Sequence, residues 1–300
     1  MSPAPLPAVN ALPASDLQGV VSRLFIHPVK SCAAIEVREA VLTGTGLAWD
    51  RAWMVVDARG EFLSQRSLPR MALVRPQLPG DGLVLHAPGM PVLRVPLEPG
   101  GTPFASLRAR VWSDVVDAWD MGDAAARWFS GFLGQPCRLV RFDPGYRRLC
   151  SLRWTGGIEA RTQFADGYPL LVTSAAAIDD LNGRLRAAGC GPVGMERFRP
   201  NLVIGGVEAH DEDHVDALTI DADGAAVELR MVKPCARCPI PDIDPATAES
   251  APHVGDALRA YRQDARLDGA ITFGMNAIAT QGVGRTLRVG QAVAADLRFG

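Results

Sequence analysis

Apolar runs in this 300-residue chain are short, and almost every one is interrupted by one of its 30 glycines or 23 prolines. That punctuation favours strands of four to eight residues over long helices. Residues 20–28 (VVSRLFIHP) alternate apolar and polar side chains. Residues 53–57 (WMVVD), the turn Ala58-Arg59-Gly60 and residues 61–63 read as a hairpin. Short β segments follow from Leu83 to about residue 105, with more at 202–204, 217–220 and 227–232. Residues 286–298 alternate as a final hairpin, with Gly282, Gly284 and Gly290 in its turns. Two helices are expected. Gly122-Asp123-Ala124 opens one, with Asp123 as its cap and Ala126, Trp128, Phe129, Phe132 and Leu133 on its apolar face. Thr173-Ser174 opens the other, whose stripe is Ala177, Ile178, Leu181 and Leu185, with Gly189 just past its end.

Strands and helices do not alternate in a βαβα order, which excludes a doubly wound sheet. The expected fold is mainly β (α+β): barrel-like or strongly bent domains with a few helices packed outside. Pro144, Gly145, Gly156 and Gly157 cluster where a boundary would fall, dividing residues 19–142 from 143–300. Residues 1–18 are rich in proline and alanine and lack the charged start and apolar stretch of a signal peptide. They read as a disordered tail on a cytoplasmic protein. A net charge of −2 offers no basic field for nucleic acid, and no run of 18 apolar residues suggests a membrane span. The six cysteines are too scattered for a disulfide framework.

The sharpest local feature is Lys233-Pro234-Cys235-Ala236-Arg237-Cys238-Pro239, read as a stiff loop after a strand. A neighbouring cation, here Arg237, favours thiolate at Cys238, and thiolate binds soft metals. A structural zinc site would need a second cysteine pair, which the chain lacks. A redox pair would open a helix in a βαβ setting, against which Pro239, Pro241 and the β context argue. Two buried loop cysteines without a role stay open beside a metal-binding loop. A second set of residues sits at element ends: Lys30-Ser31, Arg51, Gln65-Arg66, Arg70, Thr173-Ser174 and Arg199-Pro200-Asn201. Arginine forks and helix N-termini suit phosphate, and amides suit heterocycles. Taken singly, each is an ordinary surface charge or cap. His210 and His214, four apart among acids, read as a solvated acidic loop rather than a metal site. Met54, Trp112, Trp119 and Trp128 are assigned to core packing, and Cys137, Cys150 and Cys190 to buried positions.

Seven segments occur in one order: HPVKSC, WDRAWMVVD, SQRSLPRMALV, FADGYPLLVTS, ERFRPNLVI, CARCPIPDIDP and FGMNAI. Together they resemble the MOSC family (molybdenum cofactor sulfurase C-terminal domain) preceded by its β-barrel N-terminal domain. The resemblance spans about residues 19–298, and the amidoxime-reducing members and their bacterial homologues are nearest in pattern. It implies a molybdenum–pyranopterin cofactor (the molybdenum cofactor) with Cys238 as the metal's protein ligand and Cys235 auxiliary. Cofactor contacts carry over to Lys30, Ser31, Arg51, Thr173, Ser174, Arg199, Asn201, Arg237 and Asn276. Pyridoxal phosphate binding attaches to the family only as a general term. The implied activity is reduction of N-hydroxylated small molecules, with electrons from a separate donor protein because no cysteine follows Cys238. Asp244, an acid in the adjoining loop, is a candidate for proton delivery. Relatives usually follow the ligand cysteine with a hydroxyl-bearing pair. Here Pro239-Ile240-Pro241 makes that loop stiffer and more apolar, so substrate range can differ. Two rival readings are a cofactor carrier or sulfur-handling protein with a persulfide on Cys238, and a cofactor-free interaction protein that kept the fold.

Overall fold

The computed structural model describes residues 15–97 and 104–298. The expected tail lies outside the described residues as far as residue 14, and the first strand already includes Leu17. The strands in the first half are β1 (Leu17–Ile26), β2 (Ile35–Val37), β3 (Glu39–Thr43), β4 (Gly46–Leu47), β5 (Trp53–Asp57), β6 (Arg75–Gln77), β7 (Gly82–His86), β8 (Leu93–Pro96), β9 (Ala105–Val111), β10 (Asp114–Asp120) and β11 (Cys137–Phe142). The second half holds β12 (Leu170–Ser174), β13 (Leu202–Gly205), β14 (Ala217–Asp221), β15 (Ala226–Ala236), β16 (Gln263–Asp264), β17 (Ala270–Gln281), β18 (Thr286–Arg288) and β19 (Ala292–Ala295). The α-helices are α1 (Asp123–Leu133), α2 (Leu152–Thr155), α3 (Ala175–Ala187) and α4 (His253–Arg259). The mainly β expectation holds.

Seven strands close into a barrel in the order β12-β13-β1-β19-β14-β15-β17, with β17 returning to β12. On a closed ring the number of antiparallel neighbours must be even, so seven strands require a parallel pair. It is β12–β13, where Val172 lies beside Leu202. Closure depends on Gly274, which has φ +76; a Cβ there would lie 2.6 Å from Thr173 Cγ2 and 2.7 Å from the Val172 carbonyl. Leu24, Val172, Leu202, Ile220, Leu229 and Ala277 fill the interior.

β1 belongs to this barrel although it comes first in the chain. It pairs with β13 and β19, so a cut at residue 142 separates it from those partners. The chain then builds a four-stranded sheet, β5-β11-β10-β9, and a three-stranded one, β6-β7-β8. The apolar run WMVVD is continuous because both faces of β5 are covered. Trp53 and Val55 face a core shared with Leu83, Phe129 and Phe132, while Met54 and Val56 face Val116, Val140 and Phe164.

Several local expectations need correction. Residues 286–298 form no hairpin: β18 pairs with β3 and β19 with β1 and β14. Asp123 is the first helical residue rather than the cap; its carboxylate pairs with Arg138, and Gly122 occupies the cap position. Ser174 stands at the start of α3, but its Oγ accepts from the His210 amide instead of capping. Residues 210–214 are no solvated loop, because they form a 3₁₀ turn that buries Glu212 completely. Trp112 is exposed, Trp119 is half-buried, and so is Cys190. β15 runs on through Pro234, Cys235 and Ala236, so only Arg237, Cys238 and Pro239 of the motif lie beyond the strand. Proline is tolerated there because the ladder to β17 is irregular at Pro234–Ala236.

Candidate functional site

A cleft opens beside the ends of β12, β13, β15 and β17, and residues from both halves of the chain line it. Lys30, Ser31, Arg51, Arg199, Asn201, Arg237, Cys238 and Asn276 all face it, as does Cys235. Eight of the eleven site residues expected from sequence are therefore gathered at one place. Three are not. Thr173 and Ser174 are fully buried, with Thr173 Oγ1 donating to Met195 Sδ at 3.4 Å and Ser174 occupied by the His210 amide. Asp244 lies outside the lining and forms an ion pair with Arg197 at 2.9 Å.

Among the described residues the cleft presents five cations, Lys30, Arg51, Arg66, Arg199 and Arg237, against the single carboxylate of Asp166. Several of these are held in a costly way. Ser31, Arg51 and Arg199 have φ of 64°, 47° and 58°. A non-glycine residue in that region costs on the order of 1–3 kcal/mol and persists only where its surroundings fix it. Arg51 is fixed by Asp50 at 2.5 Å, by Asn201 Oδ1 at 3.0 Å and by the Arg199 carbonyl at 3.0 Å. Asp50 is itself 4 % exposed and accepts the His27 amide at 2.8 Å. Burial pushes the Asp50 carboxyl up, and Arg51 opposes that push.

Asn201 acts as a clamp in the wall. Its Oδ1 also accepts the Leu171 amide at 3.1 Å, and its Nδ2 donates to the Phe25 carbonyl at 3.2 Å. Arg199 donates to the Cys32 carbonyl at 2.6 Å; burial, and then repulsion from Arg51, lower its pKa to about 10. Arg237 aims at Cys235 rather than at the adjacent Cys238. Its Nη1 donates to Cys235 Sγ at 2.9 Å and its Nη2 to the Phe198 carbonyl at 2.9 Å, while its Nε is buried without a partner. The cation therefore contacts the sulfur of Cys235 directly, and Cys238 lines the same cleft.

Sequence reasoning missed Asp166, and it named Arg66 only as a loop cation. Lys30 donates to Asp166 at 2.5 Å and to the Phe164 carbonyl at 2.8 Å. Arg66 lies 3.7 Å from the same carboxylate. The crowding of the cleft mouth pushes the Asp166 carboxyl up, but Lys30, Arg66 and the Trp112 indole outweigh it and hold it well below the usual range. Burial lowers the Lys30 pKa, partly offset by Asp166. Asp166 stands in the FADGYPLLVTS segment, but its partner Lys30 is 136 residues away, so the sequence held no signal of their pairing.

Such a cleft can hold an anion with several oxygens and present two sulfurs to a soft centre. Comparison with known proteins agrees with this class. The MOSC N-terminal beta barrel domain matches residues 18–136 and the MOSC domain matches residues 159–294. The chain belongs to the MOSC family. Mitochondrial amidoxime-reducing component 1 of Mus musculus is 34% identical over 287 residues, 92% of this chain and 82% of that protein. The Homo sapiens counterpart is 36% identical over 253 residues, 82% of this chain and 72% of that protein. Molybdenum cofactor sulfurase of Homo sapiens is 30% identical over 271 residues, 85% of this chain but 29% of that protein. No helix among the described residues is long and apolar enough to cross a membrane.

Proposed function

We propose that the chain binds a molybdenum–pyranopterin cofactor in this cleft, with Cys238 as its thiolate ligand. Loaded in this way, it reduces N-hydroxylated small molecules with electrons from a separate donor protein. The observation that carries the reading is the excess of five cations over one carboxylate around a cleft that ends at Cys235 and Cys238. The donor set fits the group. Lys30, Arg66 and Arg199 have the charge a terminal phosphate needs, and the orphaned Nε of Arg237 is a buried donor awaiting an acceptor. When bound, the cofactor supplies the two-electron chemistry of N–O cleavage, which also consumes two protons and releases water. The chain's own residues bind and orient. Arg51 and Asn201 brace the wall, Arg237 steadies Cys235, and Asn276, whose Nδ2 donates to the Lys233 carbonyl at 3.1 Å, fixes the strand end beside the sulfurs. Six free cysteines support a reducing, cytoplasmic setting.

The test is molybdenum content by elemental mass spectrometry for the wild type and Cys238→Ala, each made in a host that supplies the cofactor. Near-stoichiometric metal in the wild type and its loss in the variant are expected, followed by turnover of a hydroxylamine or amidoxime with an artificial donor. Metal-free wild-type protein that is folded sinks the proposal. A sulfur-handling role is the second reading, favoured by the Arg237–Cys235 contact, which sets a guanidinium donor on a sulfur in the cleft lining. Intact mass would then reveal one added sulfur on the peptide carrying Cys235 and Cys238.

A further inference from the structure

The mouth of the cleft is bridged by a small network that binding alone does not require. Asp166 accepts from Lys30 at 2.5 Å, and Trp112 Nε1 donates to the same oxygen at 3.1 Å. Arg66 reaches its other oxygen at 3.7 Å while its guanidinium lies 4.6 Å from the centre of the Trp112 ring. Trp112 sits at the tip of the β9–β10 turn with φ 57° and is 46% exposed. Asp166, Arg66 and the Phe62 ring at 5.0 Å hold its indole.

The backbone under Asp166 is anchored separately. Arg148, itself buried, donates to the carbonyls of Gln163, Ala165 and Asp166 at 2.7, 2.5 and 3.1 Å. The Asp166 side chain is 61% exposed. It can therefore change rotamer while its loop stays in place.

We propose that Asp166 is the cleft's resident counter-ion: it occupies the anion site of Lys30 and Arg66 until an anionic ligand displaces it, and Trp112 is the latch that loosens when it leaves. Asp166 and an anionic ligand compete for the same donors. Lys30 and Arg66 are two of the five cleft cations, and Asp166 is the only carboxylate among the described lining residues. A phosphate group has more acceptor oxygens and more charge than a carboxylate, so it takes the same donors in preference. Meanwhile the carboxylate keeps the Lys30 ammonium, 6% exposed, from being buried with only the neutral Phe164 carbonyl beside it. Asp166 thus sets a threshold that selects for dianionic ligands over monoanions. This rests on the reading that the cleft takes an anionic ligand.

The experiment uses cofactor-free full-length protein, titrated with phenyl phosphate and with acetate at low ionic strength. Binding is measured by calorimetry, and the Trp112 signal by the fluorescence difference between wild type and Trp112→Phe. Phenyl phosphate is expected to bind the wild type with a saturable Trp112 change, and acetate to bind far more weakly. Asp166→Asn should bind phenyl phosphate about 10-fold tighter, since one competing charge near the site is removed. It should also discriminate less against acetate, and its ligand-free Trp112 signal should already resemble that of the liganded wild type. Asp166→Ser, expected to behave alike, guards against a peculiarity of the amide. If both proteins bind phenyl phosphate equally and Trp112 does not respond, the counter-ion role is overturned while the anion site stands. If neither binds, with both folded by circular dichroism, the anionic-ligand reading falls and this inference with it.

Discussion

Two polar clusters among the described residues are built on opposite plans. At the cleft, five cations meet one carboxylate in the lining, Asp166, and one behind it, Asp50 on Arg51, and the whole faces an opening. Behind β12 and β17, the 3₁₀ turn at Asp211–His214 buries Glu212 and leaves His210 and Asp213 half-buried beside Arg262, with Asp213 paired to Arg262. That second cluster is sealed. Both Glu212 oxygens and both His210 ring nitrogens lack hydrogen-bond partners, and each group is pushed toward its neutral form. Burial, reinforced by Asp213, raises the Glu212 carboxyl to about 7, and burial followed by Arg262 lowers His210 to about 4. The difference is instructive. A sealed cluster sheds charge, because unpaired buried charge is costly. A cluster that keeps surplus charge of one sign toward an opening is arranged for a ligand.

The largest effect should come from breaking the cleft network at Arg51. Arg51→Ala leaves Asp50, whose side chain is 1% exposed, as an uncompensated carboxylate. It also takes a donor from Asn201 and from the Arg199 carbonyl. A loss on the order of 3–5 kcal/mol is expected in denaturant unfolding. Arg51→Lys should recover only part, since an ammonium cannot fork across three acceptors. A cost below about 1 kcal/mol for the alanine variant would mean the network is ordinary surface charge, and the contrast between the clusters would collapse.

The sealed cluster should respond to pH instead. Glu212 has a folded pKa of about 7 against an ordinary value of 4.5, so folding favours its protonated form. That contribution is present below about pH 4.5 and is lost as pH rises through 7. Glu212→Gln mimics the protonated form at every pH. The variant should gain on the wild type between pH 5 and pH 8, by up to on the order of 3 kcal/mol. His210 titrates in the other direction, losing stability as pH falls from its ordinary value of 6.5 toward 4, but it is present in both proteins and largely cancels. Thermal unfolding of the two proteins at both pH values checks this; a gap that does not widen with pH removes the buried-acid account.

How much of this was legible in the chain depends on range. Strand identity is local: the alternation of 20–28 and the continuous run of WMVVD mark β1 and β5 to within a few residues. Strand partners are not local. The stretch 286–298 has the right pattern, but its two strands pair with Glu39–Thr43 and Leu17–Ile26, roughly 250 residues away. Barrel closure depends on Gly274, and nothing in the sequence distinguishes that glycine from those in ordinary turns. At the site, the motif segments converge as the family resemblance implied. The left-handed backbone of Arg51 and Arg199 could not be read from residue type, because arginine has no preference for it. Nor could the aim of Arg237 at Cys235 rather than Cys238, since adjacency in sequence does not fix where a long side chain ends. Thr173 and Ser174 mark the helix start correctly, yet both are buried, Thr173 against Met195 and Ser174 against the His210 amide.

The smallest predicted effect draws the edge of the cleft. Asp244 seemed placed for proton delivery by its nearness in sequence to Cys238. Its Oδ2 instead accepts from Arg197 at 2.9 Å and its Oδ1 from the Ala246 amide at 2.7 Å, which braces the loop after the motif. Arg197 keeps a second acceptor, the Pro241 carbonyl at 3.2 Å, when the carboxylate is neutralised. Asp244→Asn should therefore cost only about 1 kcal/mol, the range of a single partly exposed ion pair. Its molybdenum content should equal that of the wild type, unlike that of Cys238→Ala. Full metal content with turnover lost and its pH profile shifted would instead make Asp244 a proton carrier. The functional cluster would then extend past the five cations to the Arg197 pair, and surplus charge facing an opening would no longer be enough to mark its boundary.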